Sequence, residues 1–246
     1  MVELDALGWA VVIFCGLMVG IAKSGVPGFG IMVVPLMAMV MPAKQSVGVL
    51  LGMLIISDMF AVTYHRRHAN WGHVLRILPA AFVGIVAGYF LMGVVSNEQF
   101  RPMIGAVVLV MLGLSYWRNR NSGLEDKIPT GWWFAVGLGF FAGVTSMMAN
   151  AAGPISVIYL LAMRLDKMEF VGTSAWFFFI MNWIKVPFNM SLESMTIDSI
   201  KFNLMLIPAI LIGALVGVLV LKKLPKKAFV NIIQILAAVS AIKLIF

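Results

Sequence analysis

GIAKSGVPGFG, residues Gly20–Gly30, sets a lysine, a serine and four glycines between two apolar stretches. In hydrocarbon each unsatisfied backbone group or bare charge costs on the order of several kcal/mol, so irregular polar backbone is tolerated only where it lines a cavity. A counterpart, GFFAGVTSMMANAAGP, lies half a chain later at Gly139–Pro154, with Ser146 and Asn150 in place of the lysine region. The chain around this pair is 62% hydrophobic and 11% charged over 246 residues, with a mean hydropathy of +1.01. A soluble domain of that size needs more polar surface. The composition therefore predicts a helical protein that crosses a membrane many times.

Apolar segments run Leu4–Ala22, Ile31–Met41, Val47–Tyr64, Val74–Val95 and Phe100–Trp117, then Trp132–Met148, Pro154–Met163, Phe170–Phe188, Ile200–Leu221 and Ala228–Phe246. A full span takes about 20 residues, so the second segment of each set reads as a half-helix. The sets align with each other. Gly16, Gly20 and Gly30 match Gly139, Gly143 and Gly153; Val47-Gly48 matches Val171-Gly172; Pro79, Gly84 and Gly88 match Pro208, Gly213 and Gly217. This is an internal duplication, with repeat 1 over 1–120, a linker over 121–131 and repeat 2 over 132–246, forming one membrane domain of eight to ten transmembrane helices.

Loop charges give the relation between the repeats. The loop after the third segment holds Arg66, Arg67 and Arg76 in the first half but Glu193 and Asp198 in the second. The loop after the fourth holds Glu98 and Arg101, then Lys222, Lys223, Lys226 and Lys227. By the positive-inside rule the repeats are inverted, with both termini outside the cell membrane, a bacterial inner membrane being the expected one. The same rule accounts for the net charge of +8 without nucleic acid. Glu3 and Asp5 stand where a signal peptide carries basic residues, so the first helix is expected to stay in place.

In inverted-repeat transporters, broken helices from the two halves meet near the midplane and aim their amino termini at an anionic group. Gly28 and Gly30 open the short helix of the first half, and Gly153 with Pro154 opens that of the second. Lys23, Ser24 and Gly25, with Ser146 and Asn150, add a charge and hydrogen-bonding groups. Lys23 has two readings: a ligand of this site, or a lysine that snorkels to the cytoplasmic interface. Asp58 is the acid well inside an apolar segment, aligned with Asn182. It pairs with Arg66 or Arg67, carries a coupling proton, or forms a gating ion pair with Lys23. Lys185, one turn beyond Asn182, is an outer-interface anchor or part of the substrate path.

A single cysteine, Cys15, permits no intrachain disulfide. His65, His68 and His73 share one short basic loop without a carboxylate or thiol companion, so neither metal nor cofactor is expected. No nucleophile elbow, phosphate loop or paired-carboxylate site is visible, and the chain is not expected to be an enzyme.

Four stretches carry a family resemblance: GIAKSGVPGFGIMVVPLM (Gly20–Met37), LLGMLIISDMFAVTYHRRHANW (Leu50–Trp71), SMMANAAGPISVIYLL (Ser146–Leu161) and FVGTSAWFFFIMNWIKVP (Phe170–Pro187). In this order they resemble the TauE/SafE family of sulfite and organosulfonate exporters. The resemblance implies passage of small sulfur-containing anions such as sulfite, sulfoacetate or thiosulfate. Many members have a run of glycines where this chain has Lys23-Ser24-Gly25. The expected partners are thus a small anion, the lipid bilayer and, for coupling, a proton; the alternative reading is an anion channel or a non-transporting membrane subunit.

Overall fold

The computed structural model describes residues 4–23, 30–65, 68–120, 131–220 and 226–246. Among these residues there are eleven helices and no strands. The first half supplies α1 (Ala6–Lys23), α2 (Gly30–Val40), α3 (Ala43–His65), α4 (Trp71–Val94) and α5 (Asn97–Arg120). The second supplies α6 (Trp132–Ala149), α7 (Gly153–Ala162), α8 (Lys167–Ser191), α9 (Ile197–Met205), α10 (Ile207–Val220) and α11 (Lys226–Ile245). The protein is a polytopic helical membrane protein. Five helices, α1, α3, α4, α5 and α6, contain stretches long and apolar enough to cross a bilayer, and the bent α9–α10 pair makes a sixth candidate.

The short segments are short helices. α2 has 11 residues and α7 has 10. At 1.5 Å per residue each spans about half of a ~30 Å hydrocarbon core. Pro154 stands in the first turn of α7, where its missing N–H costs no helical bond. α8 begins at Asp166, whose carboxylate accepts from the N–H groups of Met168 and Glu169, both at 2.8 Å.

One expectation needs correction. Ile200–Leu221 reads as a single apolar segment, but the helix breaks at Leu206 and α9 meets α10 at 50°. Pro208 cannot donate to the carbonyl four residues back. Its aligned counterpart Pro79 is nevertheless accommodated inside the continuous α4, so proline alone does not make the break. The difference lies just upstream: the Leu206 N–H bonds to the Asn203 carbonyl at 3.1 Å, a tight three-residue turn, and Asn203 is buried against α3 beside Gly52.

The matched glycines show how the halves interlock. A β-carbon at Gly20 would collide with the Ile210 carbonyl, and one at Gly213 with the Leu17 carbonyl. The aligned residues repeat the arrangement with the halves exchanged: Gly143 lies against the Ala81 carbonyl and Gly84 against the Phe140 carbonyl. Thus α1 packs on α10, and α6 packs on α4, backbone to backbone. Close approach of this kind is the usual role of small residues where lipid removes the hydrophobic drive for helix association.

Helix directions give the symmetry. Along α1 and α10 the contacts advance together, from Gly16 with Ala209 to Gly20 with Gly213, so these helices are parallel. The equivalent helices α3 and α8 are antiparallel: Gly48 lies by Ser194, Asp58 by Asn182, and Gly172 by His68. Antiparallel packing of equivalent elements is what an inverted duplication requires.

Gly143→Val should therefore lower the thermal stability of the detergent-purified protein by roughly 1–3 kcal/mol or more through overpacking. A β-carbon at Gly137, also in α6, would meet nothing within 4 Å. Gly137→Ala should raise stability by about 0.5–1 kcal/mol. Thermal unfolding of the two variants beside the parent protein checks both signs.

Candidate functional site

Lys23 is the last residue of α1, and its ammonium turns inward. Nζ lies 2.5 Å from Asp58 Oδ1 on α3 and 4.4 Å from the centroid of the Phe178 ring on α8. The Asp58 side chain is completely buried, whereas that of Lys23 is 18% exposed. Asn182 Nδ2 donates to the other carboxylate oxygen at 2.6 Å. The carboxylate is held on both oxygens, by a cation from one helix and an amide from another. Of the three partners open for Asp58 in the sequence, Lys23 is in place against it, while Arg66 and Arg67 lie outside the described residues.

The second half builds its own lysine contact. Lys185 is 1% exposed and donates to Ser146 O at 3.1 Å, Ser146 Oγ at 2.9 Å and Asn150 Oδ1 at 2.6 Å. An ammonium has three hydrogens to give, and three acceptors surround this one. Lys185 is therefore no interfacial anchor. Its geometry depends on how α6 ends. Asn150 has φ 50°, the left-handed conformation that asparagine tolerates better than most residues. Asn150 N–H then bonds to the Ser146 carbonyl at 2.9 Å, the bond of an αL helix end, and Ala151 N–H bonds to the Thr145 carbonyl at 3.2 Å. The Asn150 amide is fixed further by donating from Nδ2 to the Val47 carbonyl at 3.0 Å, which ties the break to α3.

The two lysine contacts are related by the duplication. Lys23 and Ser146 are aligned, as are Asp58 and Asn182. Each half joins the end of its first helix to its third helix through a lysine, carried by the first helix in one half and by the third in the other.

A cavity of about 200 Å³ lies between these ends. Its wall includes Lys23, Gly30, Ser146, Asn150, Gly153 and Asn182, with Phe178, Leu54 and Val157 among its apolar members. Gly30 and Gly153 differ from the packing glycines: among the described residues a β-carbon at Gly153 would meet nothing within 4 Å, and one at Gly30 would touch only Ala22, at 4.0 Å. The starts of both short helices are thus uncrowded. The first amides of any helix lack intrahelical partners and carry its positive dipole end.

Six of the residues anticipated from the sequence thus share one wall. Lys185 and Asp58 stand behind it, touching Asn150 and Ser146, or Lys23 and Asn182, rather than the space itself. Ser24, Gly25 and Gly28 lie outside the described residues. Ser115 on α5, Ser174 on α8 and Gln234 on α11 also line the cavity and were not anticipated. The available signal was their polarity inside otherwise apolar segments. Among the described residues no group of three or more His, Cys, Asp or Glu could hold a metal ion.

A family model described as sulfite exporter TauE/SafE matches residues 12–244, nearly the whole chain. No curated protein and no solved structure matches it.

The Lys23–Asp58 pair gives an asymmetric mutational expectation. Lys23→Met leaves a completely buried carboxylate without its cation and should cost about 3–5 kcal/mol of stability. Asp58→Leu leaves a lysine with partial access to water and should cost less. Combined, the two should cost less than Lys23→Met alone, because no unpaired charge remains. Thermal unfolding of the single and double variants tests this, and simple additivity would contradict it.

Proposed function

We propose, from the premise that the chain belongs to the sulfite exporter TauE/SafE family, that it is a secondary transporter exporting small sulfur-containing anions such as sulfite or sulfoacetate by alternating access. The observation that carries this reading is the convergence of two helix breaks, one from each half, on one cavity. Its wall offers Lys23, Ser146, Asn150 and Asn182 beside two uncrowded helix starts. An oxyanion there would meet amide dipoles from α2 and α7 together with side-chain donors. Ser24, Gly25 and Gly28 belong to the first break and join the site on this reading.

The repeats, 1–120 and 132–246, would expose the site to each side in turn, with both termini outside and the Arg66–Arg67 loop in the cytoplasm. The driving force is available without coupling. At −100 mV inside, an exported anion gains ~2.3 kcal/mol per charge. Asp58, held on both oxygens and sealed from the cavity, fits a gating ion pair with Lys23 better than a proton carrier in this conformation. A channel, the competing reading, would need a continuous path across the membrane.

Reconstituted into liposomes, the protein should move sulfite or sulfoacetate with saturation and counterflow, at a rate set by membrane potential and indifferent to an imposed pH gradient. Ser146→Ala should raise the half-saturating concentration about tenfold, the loss of one charge-assisted hydrogen bond worth ~1.5 kcal/mol. Non-saturating flux would mean a channel. Absence of anion flux under every gradient would end the proposal.

A further inference from the structure

The buried charges beside the cavity do not balance. Lys23 and Asp58 neutralise each other, and the two oxygens of Asp58 are occupied by Lys23 and Asn182. Lys185 is as deeply buried, yet its three acceptors, the Ser146 carbonyl, the Ser146 hydroxyl and the Asn150 amide oxygen, are all neutral. Among the described residues Asp58 is the one buried carboxylate. The duplication shows where the imbalance arises: Asp58 answers Lys23 in the first half, and the aligned position near Lys185 in the second half is Asn182.

We infer that Lys185 is the charge the transported anion balances, and that it sets the anion selectivity of the site from behind its wall. This rests on the transport reading above and changes the residue on which that reading turns, from Lys23 to Lys185. The link is short. Ser146 and Asn150 present their oxygens to Lys185 and also form part of the cavity wall. A hydroxyl that accepts from an ammonium keeps its own hydrogen to donate, and is polarised to donate more strongly. An anion against Ser146 and Asn150 is thus one side chain away from the unbalanced charge, in surroundings where apolar atoms screen little. Lys185 acts as a positioning and selectivity residue, without touching the anion itself.

Net charge also limits the cargo. One unbalanced cation matches one negative charge, so a monovalent sulfonate fills the site without leaving excess charge of either sign. Of the anions named above, singly charged hydrogensulfite therefore fits better than doubly charged sulfoacetate, which would bind with one charge uncompensated.

The test uses purified full-length protein, with methanesulfonate and sulfite as probes at constant ionic strength. Wild type should show an anion-dependent rise in unfolding temperature. Lys185→Met should lose that rise, or need at least tenfold more anion for it, and its half-saturating concentration for flux should increase by the same factor. Lys185→Arg, which keeps the charge, should restore at least part of the response; a merely space-filling lysine would not separate Arg from Met in this way. If Lys185→Met does not fold, Asn150→Asp replaces it, since a carboxylate can still accept from Lys185 while cancelling its charge; an undiminished anion response there would overturn the inference. A responsive wild type with an equally responsive Lys185→Met overturns the inference alone, whereas a wild type unresponsive to every anion overturns the transport reading beneath it.

Discussion

A charge placed among apolar helices must find either an opposite charge or a complete set of hydrogen bonds inside the protein, because lipid offers neither. Both solutions occur here. Lys23 takes the first with Asp58, and Lys185 takes the second with Ser146 and Asn150. Each solution fixes a backbone arrangement. The Asp58 pair pulls the end of α1 onto α3, and the Lys185 cage requires α6 to stop at a left-handed Asn150 whose amide is itself anchored on Val47. The cavity between the helix ends is therefore bounded by the groups that make the charges tolerable.

That arrangement needs helices that approach closely enough to bring these groups together. The glycine contacts between α1 and α10 and between α4 and α6 provide it by removing side-chain thickness where backbones cross. The glycines at the starts of α2 and α7 have another role, since little or nothing crowds them. The same residue type closes the scaffold in one place and leaves main chain open to a cavity in another. Only the neighbours distinguish the two uses.

Much of this was visible in the chain itself. A lysine and glycines inside an apolar run stand out by composition, as does the second break, and the periodic glycines expose the duplication. Loop charges predicted the inversion that antiparallel α3 and α8 display. What escaped was pairing over distance. Nothing in the local sequence says that Lys23 reaches Asp58, or that Lys185 turns from an interface toward Ser146, 39 residues earlier. The bend at Leu206 escaped because apolarity is uniform across it; beside it lies a buried asparagine, Asn203, against Gly52. Ser115 and Gln234 escaped because a lone polar residue in a span is ordinary until its neighbours are known.

The exchange of contacts between halves bears on where this architecture came from. The surface of α1 that Gly16 and Gly20 shape is covered by α10, and that of α6 by α4, so the closest helix partners lie across the duplication. A chain of half this length would carry the glycine notches without the helices that fill them. An inverted, two-fold association with a second copy would complete them. The two halves thus stand to each other as antiparallel copies would, and the departures from symmetry, Lys23 against Ser146 and Asp58 against Asn182, are differences that two identical subunits could not carry.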